Sequence, residues 1–257
     1  CNMNKVTTSP SKKFVSFLRS GIRKIVYRPT VVDFVFSAGA ACRTATMLRR
    51  VNMRTFSSPL DWMFRYDLSL YSDLLHKREF DLFREYEENE ESPSEHRNVR
   101  DLRTGMISLH HFTKNQSIQE QLPDFHATMN KRLQRLISAI QQSKDVGIVM
   151  NRDIPAEEIK EFIDSLSRLS PSCAFHVLNV RHSETQSRVT WKKVSGTGMH
   201  SIREVWFNDT HPAGNMEDGN AEWWLGNYRI WKKMLIRAFV LRKKNQEGDK
   251  ACPVSKI

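Results

Sequence analysis

Residues 146 to 182 constrain the fold of this chain more than any other stretch. VGIVMN is a short apolar run rich in β-branched residues, the pattern of a buried strand. PAEEIKEFIDSLSRL follows, opened by Pro155 and two glutamates and carrying apolar residues at helical spacing, so it reads as a helix. AFHVLNVRH then reads as a second buried strand. Strand, helix and strand in this order make a crossover, which pairs its two strands in parallel. A parallel sheet needs helices to cover it. The expected fold class is therefore α/β: a single three-layer domain with a largely parallel sheet, helices on both faces and extra strands late in the chain.

VVDFVF, 31 to 36, is an expected buried strand; Gly39 permits a tight turn, and a helix begins over 42 to 50. RTFSSPLDWMF reads as a loop that Pro59 keeps from being helical. Residues 67 to 89 read as a helix, with Leu68, Tyr71, Leu74, Leu75, Phe80 and Phe83 as candidate core. EYEENEESPSEHR reads as a solvated acidic loop, MISLHHF as a short strand, and 124 to 142 as a helix. RVTWKKV and IREVWFN suggest a hairpin or two edge strands. AEWWLGNYRIWKKMLIRAFVLRKK reads as a last helix with Trp224, Tyr228, Trp231, Leu235 and Phe239 along one side. The late tryptophans could form a ligand surface, but their spacing favours packing.

Charge divides the chain into segments. Residues 1–30 carry seven Lys/Arg and no Asp/Glu, and residues 229–257 carry nine against two. The two ends thus hold more than the whole net charge of +11, and the middle is slightly acidic. A nucleic-acid enzyme gathers its positive charge around the working cleft, so no nucleic-acid partner is expected. The expected organisation is a basic amphipathic N-terminal segment over 1–30, an α/β domain over 31–244, and a basic flexible tail over 245–257. The N-terminal helix has two readings: docking on its own domain, which is preferred, or peripheral contact with an anionic membrane. The apolar runs fall short of the roughly 18 residues that cross a bilayer. Cys1, Cys42, Cys173 and Cys252 lie too far apart for a paired-cysteine metal site, and four cysteines with two at the chain ends do not make a disulfide framework. A reducing, cytoplasmic setting, peripheral to a membrane under the second helix reading, is the expectation. The chain begins at Cys1 and not Met, so the absence of a leader says little.

The chemistry-bearing stretch is SAGAACR, residues 37–43. In an open α/β sheet, ligands bind beyond the carboxyl ends of the strands, and this segment stands at such an end. Ser37 and Gly39 let the backbone approach a ligand. The helix that starts at Cys42 offers free N–H groups and a positive dipole end. That field has two uses: lowering the Cys42 pKa for nucleophilic work, or holding a phosphate with Arg43 assisting. Cysteine is also a common small core residue, so spacing alone leaves a packing role open. A thiol enzyme needs a base, and His110 and His111 are the candidates; on a strand they would point to opposite faces, so at most one would meet Cys42. Asp61 either orients a histidine or caps a turn. No metal-ligand spacing is present, and no metal or other cofactor is expected.

The run FSAGAACRTATMLRRVNMRTFSSPLDWMF resembles the opening motif of a mainly bacterial and viral family described as putative papain-like cysteine peptidases. Ser37, Gly39, Cys42, Leu48, Arg49, Arg50, Arg54, Ser58, Pro59, Asp61 and Trp62 carry the resemblance. HHF at 110–112 and VGIVMN with the basic helix before it extend it over roughly 31 to 180. The resemblance implies Cys42 as nucleophile, His110 or His111 as base and Asp61 as orienting carboxylate. A helical domain packed on an antiparallel barrel would also be implied, whereas the crossover pattern predicts a parallel sheet. Arg43 stands where papain's own motif has Trp.

The expected function is thus a papain-like cysteine peptidase or related thiol hydrolase or acyltransferase, acting on a peptide, acyl or glycan-related substrate. The alternative is a phosphate- or nucleotide-sugar-binding α/β protein linked to glycan synthesis, without thiol chemistry. A third is a non-enzymatic module whose basic ends bind a membrane or a partner. Oligomeric state is left open.

Overall fold

The computed structural model describes residues 28–89, 94–186, 188–194 and 198–243. The expected N-terminal helix, the expected tail, Cys1 and Cys252 lie outside these residues.

The first strand region breaks in two. β1 (Thr30–Val32) and β2 (Phe34–Ser37) are separated at Asp33. The Asp33 carboxylate accepts the N–H groups of Lys144 and Asp145 at 2.7 and 3.0 Å, so one acidic residue is satisfied inside an apolar run. Helix α1 (Cys42–Arg50) follows directly. Next come β3 (Met63–Phe64) and α2 (Leu68–Lys77). The helix expected to reach 89 stops at Arg78, which adopts φ 59°. Phe80 and Phe83 remain in the core at spacing that mimics a helix. Their N–H groups instead bond to the side chains of Asn130 and Asp101, at 2.8 and 2.5 Å. The supposed acidic loop contains β4 (Tyr86–Asn89), which pairs antiparallel with β5 (Asn98–Asp101). Arg97–Glu88 and Arg100–Glu87 pairs place two of its charges across those strands.

β6 (Ile107–Ser108) is shorter than expected. Helix α3 (Ile118–Gln141) starts six residues before the expected position. Ser117 and Glu120 form a capping box there, and Pro123 is accommodated within the first turns. The crossover appears where the sequence puts it, as β7 (Asp145–Met150), α4 (Ala156–Leu169) and β8 (Ala174–His182). Of the two expected readings, a hairpin or two edge strands, β9 (Thr190–Val194) and β10 (Ser201–Phe207) take the first: they pair antiparallel, with β10 inside the sheet and only β9 at its edge. The last helix is the more compact α5 (Tyr228–Ala238), preceded by a 3-10 turn at Trp223–Leu225 and followed by β11 (Phe239–Leu241). Its Phe239 is therefore a strand residue, although it is still buried.

The main sheet runs β2-β7-β8-β10-β9, parallel except for β9. β1 and β11 pair in parallel beside it. Side chains alternate across the sheet. Phe34, Phe36, Val146, Ile148, Phe175 and Val177 pack with α2, α3 and α4 on one face. Val35, Val149, Leu178, Val180, Val205 and Phe207 pack with α1 and α5 on the other. This is the expected three-layer α/β domain. A second, antiparallel sheet, β3-β6-β5-β4, packs into the first of these cores. It is a small accessory to the parallel sheet, so the helix-plus-barrel layout implied by papain is replaced by an open parallel one.

Candidate active site

The parallel strands β2 and β7 end side by side, at Ser37 and Met150. The loops that leave them, 38–41 and 151–155, build one wall of a cleft of about 510 Å³. Ala41, Cys42, Arg43 and Asn151 line it on the sheet side. Trp62, Phe64, Leu109 and His110 line it from the accessory sheet, and Trp223 and Trp224 from the late loop. The interior is largely aromatic and apolar, suited to a ligand with an apolar body and few polar groups.

The turn before Cys42 is tightly fixed. Ser37 hydroxyl hydrogen-bonds Thr44, and Asn151 Oδ1 accepts the Ala40 N–H at 3.0 Å. A Cβ on Gly39 would meet Thr44 and would lie 2.6 Å from Asn151 Oδ1, so only glycine fits. Arg152, buried, donates to the carbonyls of Ala38, Gly39 and Tyr66 at 2.8, 3.1 and 2.7 Å. Its guanidinium sits 4.5 Å from the Tyr66 ring centroid, and the Tyr66 hydroxyl donates to Gly39 O at 2.5 Å. Ser37 and Gly39 thus shape the turn and hold it.

Cys42 is the first residue of α1, after Ala41, which supplies no side-chain cap. The N–H groups of the first helical turn have no intrahelical acceptor and stand at the cleft wall. Lowering the thiol pKa is one of the two uses that the sequence leaves open to the helix field. The thiol is instead pushed up, because burial outweighs the favourable Cys42 N–H and the charge of Arg43. The resting sulfur is a neutral thiol.

His110 and His111 leave β6 in a bend and diverge. His110 is exposed, lines the Cys42 cleft and meets the Trp62 ring edge-on at 5.8 Å. Burial, then the neighbouring His96, holds its imidazole below the ordinary value, so it too rests neutral. His111 turns away. Its Nδ1 lies 2.9 Å from Ser108 Oγ, and its ring packs on Phe125. Burial, with Arg132 adding to it, pushes His111 down to about 3. No hydrogen bond joins the Cys42 sulfur to either ring; facing residues across one cleft is the relation the structure gives to Cys42 and His110.

Asp61 is buried and committed elsewhere. Its Oδ2 accepts Arg54 Nε and Nη2 at 2.9 and 2.6 Å and the Ser58 N–H at 2.9 Å. It closes the Ser58–Asp61 turn and touches neither histidine. Burial raises its pKa against the pull of Arg54. Arg43 is likewise occupied. It donates to Trp224 O and pairs with Asp209 at 2.7 Å. Asp209 also accepts the Asn227 N–H and Trp231 Nε1, both at 2.8 Å. Arg43 therefore fastens the tryptophan wall to α1, and an anion in the cleft would compete with a carboxylate for it.

Asn151, Arg152 and Asp209 were not singled out in the sequence. The first two were within reach, since they follow a predicted parallel strand at its carboxyl end. Asp209 carried no local signal. Among the described residues no group of three or more His, Cys, Asp or Glu could hold a metal ion, and no helix is long and apolar enough to cross a membrane.

Residues 33–185, over half of the chain, match the family model described as "Putative papain-like cysteine peptidase (DUF1796)". No curated protein and no solved structure matches the chain.

Proposed function

We propose that this chain, which belongs to that family of putative papain-like cysteine peptidases, is a thiol hydrolase or acyltransferase with Cys42 as nucleophile and His110 as base. One observation carries this reading. Cys42 opens α1 at the carboxyl edge of a parallel sheet, and the cleft it lines is faced by an exposed histidine.

Both partners rest neutral, so the proton moves during reaction and not before it. An acyl substrate enters between Trp62 and Trp224 and displaces water. His110 takes the thiol proton, directly or through one water, as sulfur attacks the carbonyl carbon. N–H groups at the start of α1 receive the developing oxyanion. Imidazolium returns the proton to the leaving group, giving an acyl-Cys42 intermediate. Water or another acceptor then takes the acyl group. The substrate proposed is a peptide, acyl or glycan-related compound; the apolar cleft with a thiol at its wall supports an acyl group carried on an apolar body.

p-Nitrophenyl acetate tests this without knowledge of the natural substrate. The expected result is an acetyl adduct on Cys42, lost in Cys42→Ser. Acylation in His110→Ala should be slower by about 100-fold or more, the usual contribution of a general base. In His111→Ala the folded fraction should acylate near the wild-type rate. Acetylation elsewhere, with Cys42 untouched, would remove the thiol reading.

A further inference from the structure

The two basic ends of the chain are attached to one side of the fold. β1 and β11 pair in parallel, with Thr30, Val31 and Val32 opposite Phe239, Val240 and Leu241. Paired strands lie about 5 Å apart and advance about 3.3 Å per residue, so Thr30 and Leu241 are about 8 Å apart. Residues 1–29 join the fold at the first of these points, and residues 242–257 leave it at the second. The seven Lys/Arg of residues 1–30 and the nine of residues 229–257 are therefore gathered around one place, although they stand at opposite ends of the sequence.

The β1-β11 ribbon and α5 form one layer. Val32 and Phe239 pack into the same core as Trp231, Met234 and Leu235, so the opposite sides of ribbon and helix face outward together. The outward side of the ribbon is apolar: Val31 and Val240 stand opposite each other, 49% and 47% exposed. Ile236 of α5 is 48% exposed. Around it the outward side of α5 is basic, with Lys232, Lys233 and Arg237 exposed and no acidic residue in the helix. Asp33 and Asp145, beside the ribbon, are both paired with Arg242 and offset its charge. Apolar side chains set among cations are the two signals that a peripheral membrane contact needs, since either alone binds weakly. A nucleic acid would meet the cations with phosphates but leave the valines without an apolar partner.

We propose that the outward face of α5 and the β1-β11 ribbon docks on an anionic lipid bilayer. Lys232, Lys233 and Arg237 lie on the headgroups, joined by the basic residues of the two chain ends. Val31, Val240 and Ile236 reach the boundary with the acyl chains. The surface works whatever the chemistry of Cys42.

The test is flotation of the full chain with phosphatidylcholine vesicles, with and without about 30% phosphatidylserine. At about 0.1 M salt the anionic vesicles should bind at least tenfold more tightly, and most of that difference should vanish near 1 M as the charges are screened. Each basic side chain at an anionic surface is worth about fivefold in affinity, so Lys233→Gln with Arg237→Gln should weaken binding about 25-fold. Lys131→Gln with Arg135→Gln removes the same two charges, at the same spacing, from α3 on the other face of the sheet. It should weaken binding less than about fivefold. Val31→Ser with Val240→Ser should cost about tenfold, chiefly in the binding that salt does not remove. All six side chains are exposed, so the urea midpoints should stay at the wild-type value. Equal binding to the two vesicle types, equal losses in the α5 and α3 variants, or wild-type binding in the valine variant would each overturn the proposal. A short DNA duplex that binds as tightly as the anionic vesicles, and through Lys233 and Arg237, would make the partner a nucleic acid and overturn it as well.

Discussion

Asp209→Ala is the perturbation whose consequence the structure fixes best. Asp209 is 6% exposed and accepts three charged or buried donors: Arg43 at 2.7 Å, the Asn227 N–H and Trp231 Nε1, both at 2.8 Å. Trp231 has no exposed surface, so its indole N–H would be left without water or acceptor. Two orphaned N–H groups cost roughly 1–3 kcal/mol each. The released Arg43 adds little, because its side chain is 21% exposed and finds solvent. The expected loss is about 3–5 kcal/mol, read from urea unfolding followed by tryptophan fluorescence. Asp209→Asn keeps one acceptor oxygen and should lose about half as much. Arg43→Ala should lose less than Asp209→Ala, because the carboxylate keeps two of its three donors. The same change should loosen the Trp223–Trp224 wall, seen as faster iodoacetamide labelling of Cys42. A loss below about 1 kcal/mol in Asp209→Ala would refute the reasoning, since a buried three-way acceptor cannot be removed so cheaply unless water replaces it.

Further outcomes follow from the same geometry. Alkylation of Cys42, in a Cys1→Ser/Cys252→Ser background, should rise with a midpoint above the ordinary thiol value of about 8.5. A plateau below pH 7 would mean that burial does not set its pKa. Cys173, pushed to about 12 chiefly by burial, should stay unlabelled throughout that range. Because the folded Cys42 thiol holds its proton more tightly than the unfolded one, its stabilising effect is complete below the unfolded pKa. It is lost as pH rises above about 8.5. His111 has the opposite consequence: its folded pKa of about 3 is depressed, so stability falls as pH drops from about 6.5 toward 3, at up to about 1.4 kcal/mol per pH unit. The slope should flatten in His111→Gln, and an unchanged urea midpoint between pH 6.5 and 4.5 would contradict the burial of that ring. Gly39→Ala drives a methyl into Thr44 and Asn151 and should cost about 1–3 kcal/mol by overpacking; a change within 0.5 kcal/mol, on the scale of a neutral surface substitution, would show that the turn can open.

The elements that the sequence revealed are those whose determinants are local. Continuous apolar runs and Pro155 fixed the β7-α4-β8 crossover, and small residues before Cys42 marked the end of β2. The start of α3 lies six residues before the expected one, at a Ser117–Glu120 capping box whose spacing is local but which the apolar periodicity of 124 to 142 does not reach. The stop of α2 was not legible, because Phe80 and Phe83 continue a helical spacing while Asn130 and Asp101, from distant segments, satisfy their N–H groups.

The site divides in the same way. Sequence alone put a cysteine at a helix N-terminus on the carboxyl edge of a parallel sheet, because a strand, a tight turn and a helix are consecutive in the chain. It could not choose between His110 and His111, since the bend after β6 and the burial against Phe125 decide which ring faces the cleft. Asp61's commitment to Arg54 is local, seven residues apart, but either role suited its pattern. The Arg43–Asp209 pair spans 166 residues and exists only because the sheet brings the loop after β10 beside the start of α1. The sign of the Cys42 shift was likewise tertiary. The helix start is written in the chain, but the burial of Cys42 that outweighs its own N–H and the charge of Arg43 exists only in the folded protein.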